Sequence, residues 1–92
     1  MNPLICHFLS ITSHQQIADL FHKCIANPVD GNSYALMYNS QHPQYYFSNL
    51  SVPNPVAVHP YAIVGLFSLN EIDNTELLQN AIEKLRKKWC GS

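Results

Sequence analysis

The stretch Tyr61-Ala62-Ile63-Val64-Gly65-Leu66-Phe67-Ser68-Leu69 carries no charge and hardly alternates in polarity. Such a run reads as a strand buried on both faces, one that the rest of a small domain has to cover. Pro60 stands at its entrance, where a missing N–H costs a ladder least, and Gly65 within it marks a bulge or a close approach by another backbone.

The exit of this strand holds a helix start. Asp73 is the expected N-cap with Glu76 at the third helical position, and Ile72 before the cap is placed to staple onto Leu77. Leu77, Leu78, Ala81, Ile82, Leu85 and Trp89 then form an inward face, while Lys84, Arg86, Lys87 and Lys88 gather where the helix dipole is negative. Gly91 is the expected stop. Leu66 and Leu85, each inside the apolar run of its own element, are both expected to be buried where strand and helix meet.

Upstream of the strand, Pro53-Asn54-Pro55 breaks the chain and Val56-Ala57-Val58 reads as a short extended segment at an edge. Tyr34-Ala35-Leu36-Met37-Tyr38 and the run from Tyr45 to Val52 read as two strands of an antiparallel hairpin, joined by the polar link Asn39 to Gln44. Tyr34, Leu36 and Tyr38 share one side. Before them lies the turn Pro28 to Ser33, with Gly31 free to take positive φ. Ser13 and Gln16 have the spacing of a capping box, opening a helix with an apolar face of Ile17, Leu20, Phe21, Cys24 and Ile25 that Asn27-Pro28 ends. The apolar run Leu4 to Ile11, with β-branched and aromatic members, reads as a first strand lying beside the Tyr61 strand.

The expected order is therefore β-α-β-β-β-α. It describes one α+β domain over residues 1–92, with an antiparallel or mixed sheet of about four strands and two helices packed on one face.

Charged residues make up 12% of the chain, about half the usual share, so nine Asn, five Gln, eight Ser and five His supply most of the polar surface. Net charge is -1, which leaves no field to attract a polyanion, and nucleic acid is an unlikely partner on that ground. From the first helix onward the order α-β-β-β-α is that of double-stranded RNA-binding domains, but the positions where those grip phosphate with basic residues are Asn74, Thr75 and Glu76 here. No apolar run reaches the length of a membrane span, and Pro3 to Ile11 lacks the basic flank and cleavage site of a leader. Three cysteines at irregular spacing read as reduced thiols. Together these point to a cytoplasmic protein.

Little chemistry is written in the spacing. Cys6 and His7 are adjacent and His22 and Cys24 are two apart, so neither pair can converge on a zinc ion; no metal and no cofactor are expected. Cys6 and Cys24 read as small core residues, and Cys24 and Cys90 lie near helix C-termini, where the dipole disfavours a thiolate. The carboxylates offer no acid and base pair, and the three glycines stand alone, so a phosphate loop is excluded. The informative feature is Tyr34, Tyr38, Tyr45, Tyr46 and Phe47, five aromatics within fourteen residues and almost without charge between them.

Exposed tyrosine in a charge-poor surround is the chemistry of a partner surface, although cross-strand pairing that only stabilises the hairpin explains the same residues. The reading that follows is a small non-enzymatic interaction or regulatory module that binds protein through this hairpin, with a homodimer expected. The alternative is a small-molecule binding domain or minor enzyme whose pocket, between sheet and helices, gathers Cys6, His7, His22 and Tyr61.

Overall fold

The computed structural model describes residues 3–42, 44–50 and 61–91. Three strands, β1 (Ser33–Asn39), β2 (Gln44–Asn49) and β3 (Tyr61–Ser68), form an antiparallel sheet in the order β2-β1-β3. Four helices accompany them among the described residues: α1 (Pro3–Ile11), α2 (His14–Cys24), α3 (Leu69–Asp73) and α4 (Thr75–Cys90). The α+β class is as expected, but the sheet has three described strands instead of four. Pro43, Ser51 and Val52, the break at residues 53–55, the segment 56–58, Pro60 and the Tyr61 side chain lie outside what is described.

The missing strand is α1. A continuous apolar run of eight residues cannot by itself distinguish a buried strand from a buried helix. Strand geometry would put His7 on the same face as Ile5 and Leu9, burying an imidazole between them. The helix keeps Ile5 and Leu9 together inside and turns His7 to solvent. Pro3 sits in the first turn, where its missing N–H is no loss.

The capping box of α2 forms as its spacing predicts: Ser13 Oγ accepts from the Gln16 N–H at 3.2 Å, and Gln16 Oε1 accepts from the Ser13 N–H at 2.9 Å. Ile17, Ala18 and Phe21 are buried, and the helix stops at Cys24, before the expected Asn27-Pro28 boundary. Cys24 is exposed, so it is not the core residue its spacing implied. At the other end of the chain the expected helix start is displaced by one residue. Asn74, not Asp73, caps α4 by accepting from the Leu77 N–H at 3.1 Å, while Asp73 ends α3, a short helix with its own Ser68/Glu71 capping box. Leu77 consequently faces out and Leu78 and Ile82 face in. Gly91 ends α4 with φ of 73°, in the left-handed conformation glycine adopts without penalty.

Among the described residues the central strand is β1, with Tyr34 to Asn39 all buried, and β2 and β3 flank it. Tyr34, Leu36 and Tyr38 face the helices and meet Phe47, Val64 and Phe67 in one core with Ile5, Leu9, Ile17, Phe21, Ile72, Leu78 and Ile82. Phe21 organises it, standing edge-on to Tyr34 at 5.0 Å and to Phe47 at 5.3 Å between ring centres.

The β1–β3 register pairs Leu36 with Gly65 but Met37 with Ile63, so Val64 is one residue too many and forms a bulge. Val64 turns into the core, fully buried, and its carbonyl accepts from Trp89 Nε1 at 2.8 Å. The bulge reverses the alternation beyond it. Leu66, expected inside, pairs with Ala35 on the opposite face and is 57% exposed. Its place in the contact with α4 is taken by Gly65: a Cβ built there would fall 2.5 Å from Leu85 Cδ1, so half-buried Leu85 packs onto bare backbone.

The two ends of the described chain are joined covalently by a Cys6–Cys90 disulfide, against the expectation of reduced thiols. Closing a loop of 84 residues is worth roughly 4 to 5 kcal/mol in the chain-entropy picture. The cytoplasmic placement loses the support it drew from free cysteines. What stands is that no helix among the described residues is long and apolar enough to cross a membrane.

Leu36→Ala should cost about 2 to 5 kcal/mol of unfolding free energy, and Leu66→Ala within about 0.5 kcal/mol of zero, measured by denaturant titration. Equal costs would contradict the bulged register. Gly65→Ala should destabilise by about 1 to 3 kcal/mol in the parent and by clearly less in a Leu85→Ala background; additive effects in that cycle would mean the two positions do not touch.

Candidate interaction surface

By alternation from the register, Ala35 and Met37 of β1, Tyr46 and Ser48 of β2, and Ile63 and Leu66 of β3 share the sheet face turned away from the helices. Ala35 and Met37 are buried and Tyr46 and Ser48 are half-buried. Ile63 and Leu66 are not: they stand 47% and 57% exposed on β3. Those two apolar side chains, three apart in sequence, are brought onto one face only by the bulge at Val64. No residue of β3 carries a charge.

The aromatic residues expected to form a partner surface are divided by the pleat. Tyr34, Tyr38 and Phe47 belong to the core, at 0%, 5% and 4% exposure, and cannot present a surface. Tyr34 further spends its hydroxyl locally, accepting from the Val29 N–H at 2.8 Å, which ties the turn before β1 to the sheet. Tyr45 lies half-buried under α1, its ring stacked on Phe8 with centres 3.6 Å apart and its hydroxyl donating to the Leu4 carbonyl at 3.4 Å. Of the five, Tyr46 alone is on the face turned away from the helices. Ile63 and Leu66 are not singled out by sequence because an uncharged run that hardly alternates reads as buried on both faces, and Gly65, the visible sign of a bulge, does not say which side chains the bulge turns outward.

Three of the four residues of the alternative pocket are described, the Tyr61 side chain lying outside. Cys6 is bonded to Cys90, while His7 and His22 are exposed on α1 and α2. His22 rests edge-on against Phe21 at 5.3 Å, on the outside of the core. The space between sheet and helices is filled by Phe21, Tyr34, Phe47 and Phe67. Among the described residues no three His, Cys, Asp or Glu side chains gather where a metal ion could sit.

A polar cleft of about 240 Å³ lies elsewhere, between the start of α2 and one side of α4, lined by Ser13, His14, Gln79, Ile82, Glu83 and Arg86. Its polar groups are turned on one another. Arg86 donates from Nε to the Leu9 carbonyl at 2.9 Å and from Nη2 to the Thr12 carbonyl at 3.2 Å, and pairs with Glu83 at 3.3 Å. His14 Nδ1 and Gln79 Nε2 are hydrogen-bonded at 3.2 Å. Arg86 thus satisfies the carbonyls that α1 leaves open at its C-terminal end. Of the basic cluster, Lys84, Lys87 and Lys88 are exposed, as a solvated helix end should be.

Burial pushes the Tyr45 phenol up to about 12, and the neighbouring Tyr38 hydroxyl adds to the shift. A raised folded-state value favours the protonated form, so this group's stabilising contribution is complete below the ordinary tyrosine value and is lost as pH rises through about 12. Spectrophotometric titration of the phenols should show a component near the upper value that moves down when Phe8→Ala uncovers the ring. A titration unchanged by that substitution would place Tyr45 outside the stack. Set beside known proteins, the chain matches no family model, no curated protein and no solved structure.

Proposed function

We propose that the protein is a small non-enzymatic interaction module that binds protein, a second copy of itself included, through the outer edge and helix-free face of its sheet. The observation that carries this reading is the pair Ile63 and Leu66, two large apolar side chains held side by side in solvent on an uncharged outer strand of the described sheet. Natural edge strands are blunted by charge, proline or shortness; β3 has eight residues, no charged residue and no proline, with the bulge as its one irregularity. The low charge of the whole chain removes the repulsion that keeps small domains apart. The contact we propose uses Ile63, Leu66 and Tyr46, since Tyr34, Tyr38, Tyr45 and Phe47 lie on the helix side of the hairpin.

The competing reading, a ligand pocket around Cys6, His7, His22 and Tyr61, draws no support from a cysteine spent in a disulfide and two histidines on separate helices. The cleft beside Arg86 offers polar groups already paired with each other, which suits a structural tie better than a substrate.

Light scattering coupled to gel filtration tests the proposal. The parent should run at twice its 10.4 kDa mass at high protein concentration, and Leu66→Lys should return it to the single-chain mass with an unchanged melting temperature, since that side chain is already in solvent. A parent that stays at 10.4 kDa throughout, or a dimer indifferent to Leu66→Lys, would remove self-association through this face.

A further inference from the structure

The Cys6–Cys90 bond joins α1 to the last residue of α4 at a place where both cysteine residues are only half-buried, and partial exposure is what attack by a thiol from solution requires. α1 itself is a nine-residue helix with no charged side chain, far shorter than a helix that holds together alone. Its two halves are secured in different ways. The C-terminal half is fixed by Leu9 in the core and by the Arg86 guanidinium on the Leu9 and Thr12 carbonyls. The N-terminal half, Leu4 to Phe8, carries Ile5 into the core and is held from above by the disulfide, the Phe8–Tyr45 stack and the long Tyr45 hydroxyl bond to Leu4. The covalent tie thus lies on one half of α1 and the Arg86 anchor on the other.

We propose that the Cys6–Cys90 disulfide is a reversible redox latch, opened by a small-molecule thiol of the glutathione class, which holds the first half of α1 over the apolar surface formed with Tyr45. In the opening step a thiolate attacks one sulfur of the bond, forming a mixed disulfide with that cysteine and releasing the other as a thiolate. A second thiol resolves the mixed disulfide. The chain takes up two electrons and two protons, and two thiols leave as one low-molecular-weight disulfide. With the latch open, the seat of Ile5 and the stacked faces of Phe8 and Tyr45 become reachable, so reduction adds an apolar surface where α1 meets the end of α4.

The test uses the full chain equilibrated in buffers of graded reduced to oxidised glutathione, with the cysteine state read by alkylation and mass spectrometry and backbone opening read by amide hydrogen exchange. The latch requires the Cys6–Cys90 bond to open within that range and exchange in α1 to rise about tenfold or more, while β1, β3 and α2 keep their protection. Adding oxidised glutathione should restore α1. Cys90→Ser should show fast exchange in α1 in every buffer, and Cys24→Ser should behave as the parent, because that exposed thiol is outside the latch. A bond that stays closed at the most reducing ratio, an α1 equally protected in both states, or loss of protection in all elements at once would each overturn the proposal.

Discussion

The bulge at Val64 is the constraint on which the rest of the sheet depends. One residue beyond what β1 can match turns Val64 and then Gly65 toward the helices, and sends Leu66 out to join Ile63. Both inward positions are then used by α4. Trp89 caps the bulged carbonyl, and Leu85 lies against the glycine that has no side chain to obstruct it. A bulge normally strands a backbone group outside the ladder, and here the indole N–H supplies its partner. The same irregularity therefore docks the last helix and creates the one exposed apolar pair of the sheet's described edge strand.

Closure at the chain ends is the second organising feature. A domain of this size has little core to spare, and α1 contributes Ile5 and Leu9 to it from a helix too short to persist alone. α4 compensates at two points, with a covalent bond near the start of α1 and an arginine across its carbonyl end. Arg86 illustrates why a cation near a helix end need not be a binding residue. Its planar group matches two carbonyls that have no helical partner, and Glu83 takes up the remaining charge.

The hairpin aromatics serve the interior first. Tyr34, Tyr38 and Phe47 lie on the side of β1 and β2 that meets Phe21, where edge-to-face packing supplies contact area that aliphatic residues of the same number would not. Each half-polar ring also brings a hydroxyl that must be satisfied, and Tyr34 meets this by binding Val29 in the preceding turn. The cluster reads as a surface in sequence because tyrosine is amphipathic and charge is scarce around it. In three dimensions the helices claim that side, and the large apolar side chains left exposed on the described sheet are the aliphatic pair Ile63 and Leu66 on the other.

The α+β class, the α2 capping box, the Tyr34 to Tyr38 face, the hairpin and the Gly91 stop were all legible in the chain, because each rests on contacts between residues a few positions apart. What only the tertiary structure decided has one physical reason, that the partner lies far away in sequence. Leu4 to Ile11 is a helix because α4 and Tyr45 offer one side to pack on, and Tyr61 to Ser68 flanks the described sheet because β1 takes its centre. Cys6 finds Cys90 across 84 positions, and Leu66 is outside because a register shift against β1 cannot be read from the periodicity of β3 alone. Periodicity says which residues share a face; it takes the neighbouring element to say which face is covered.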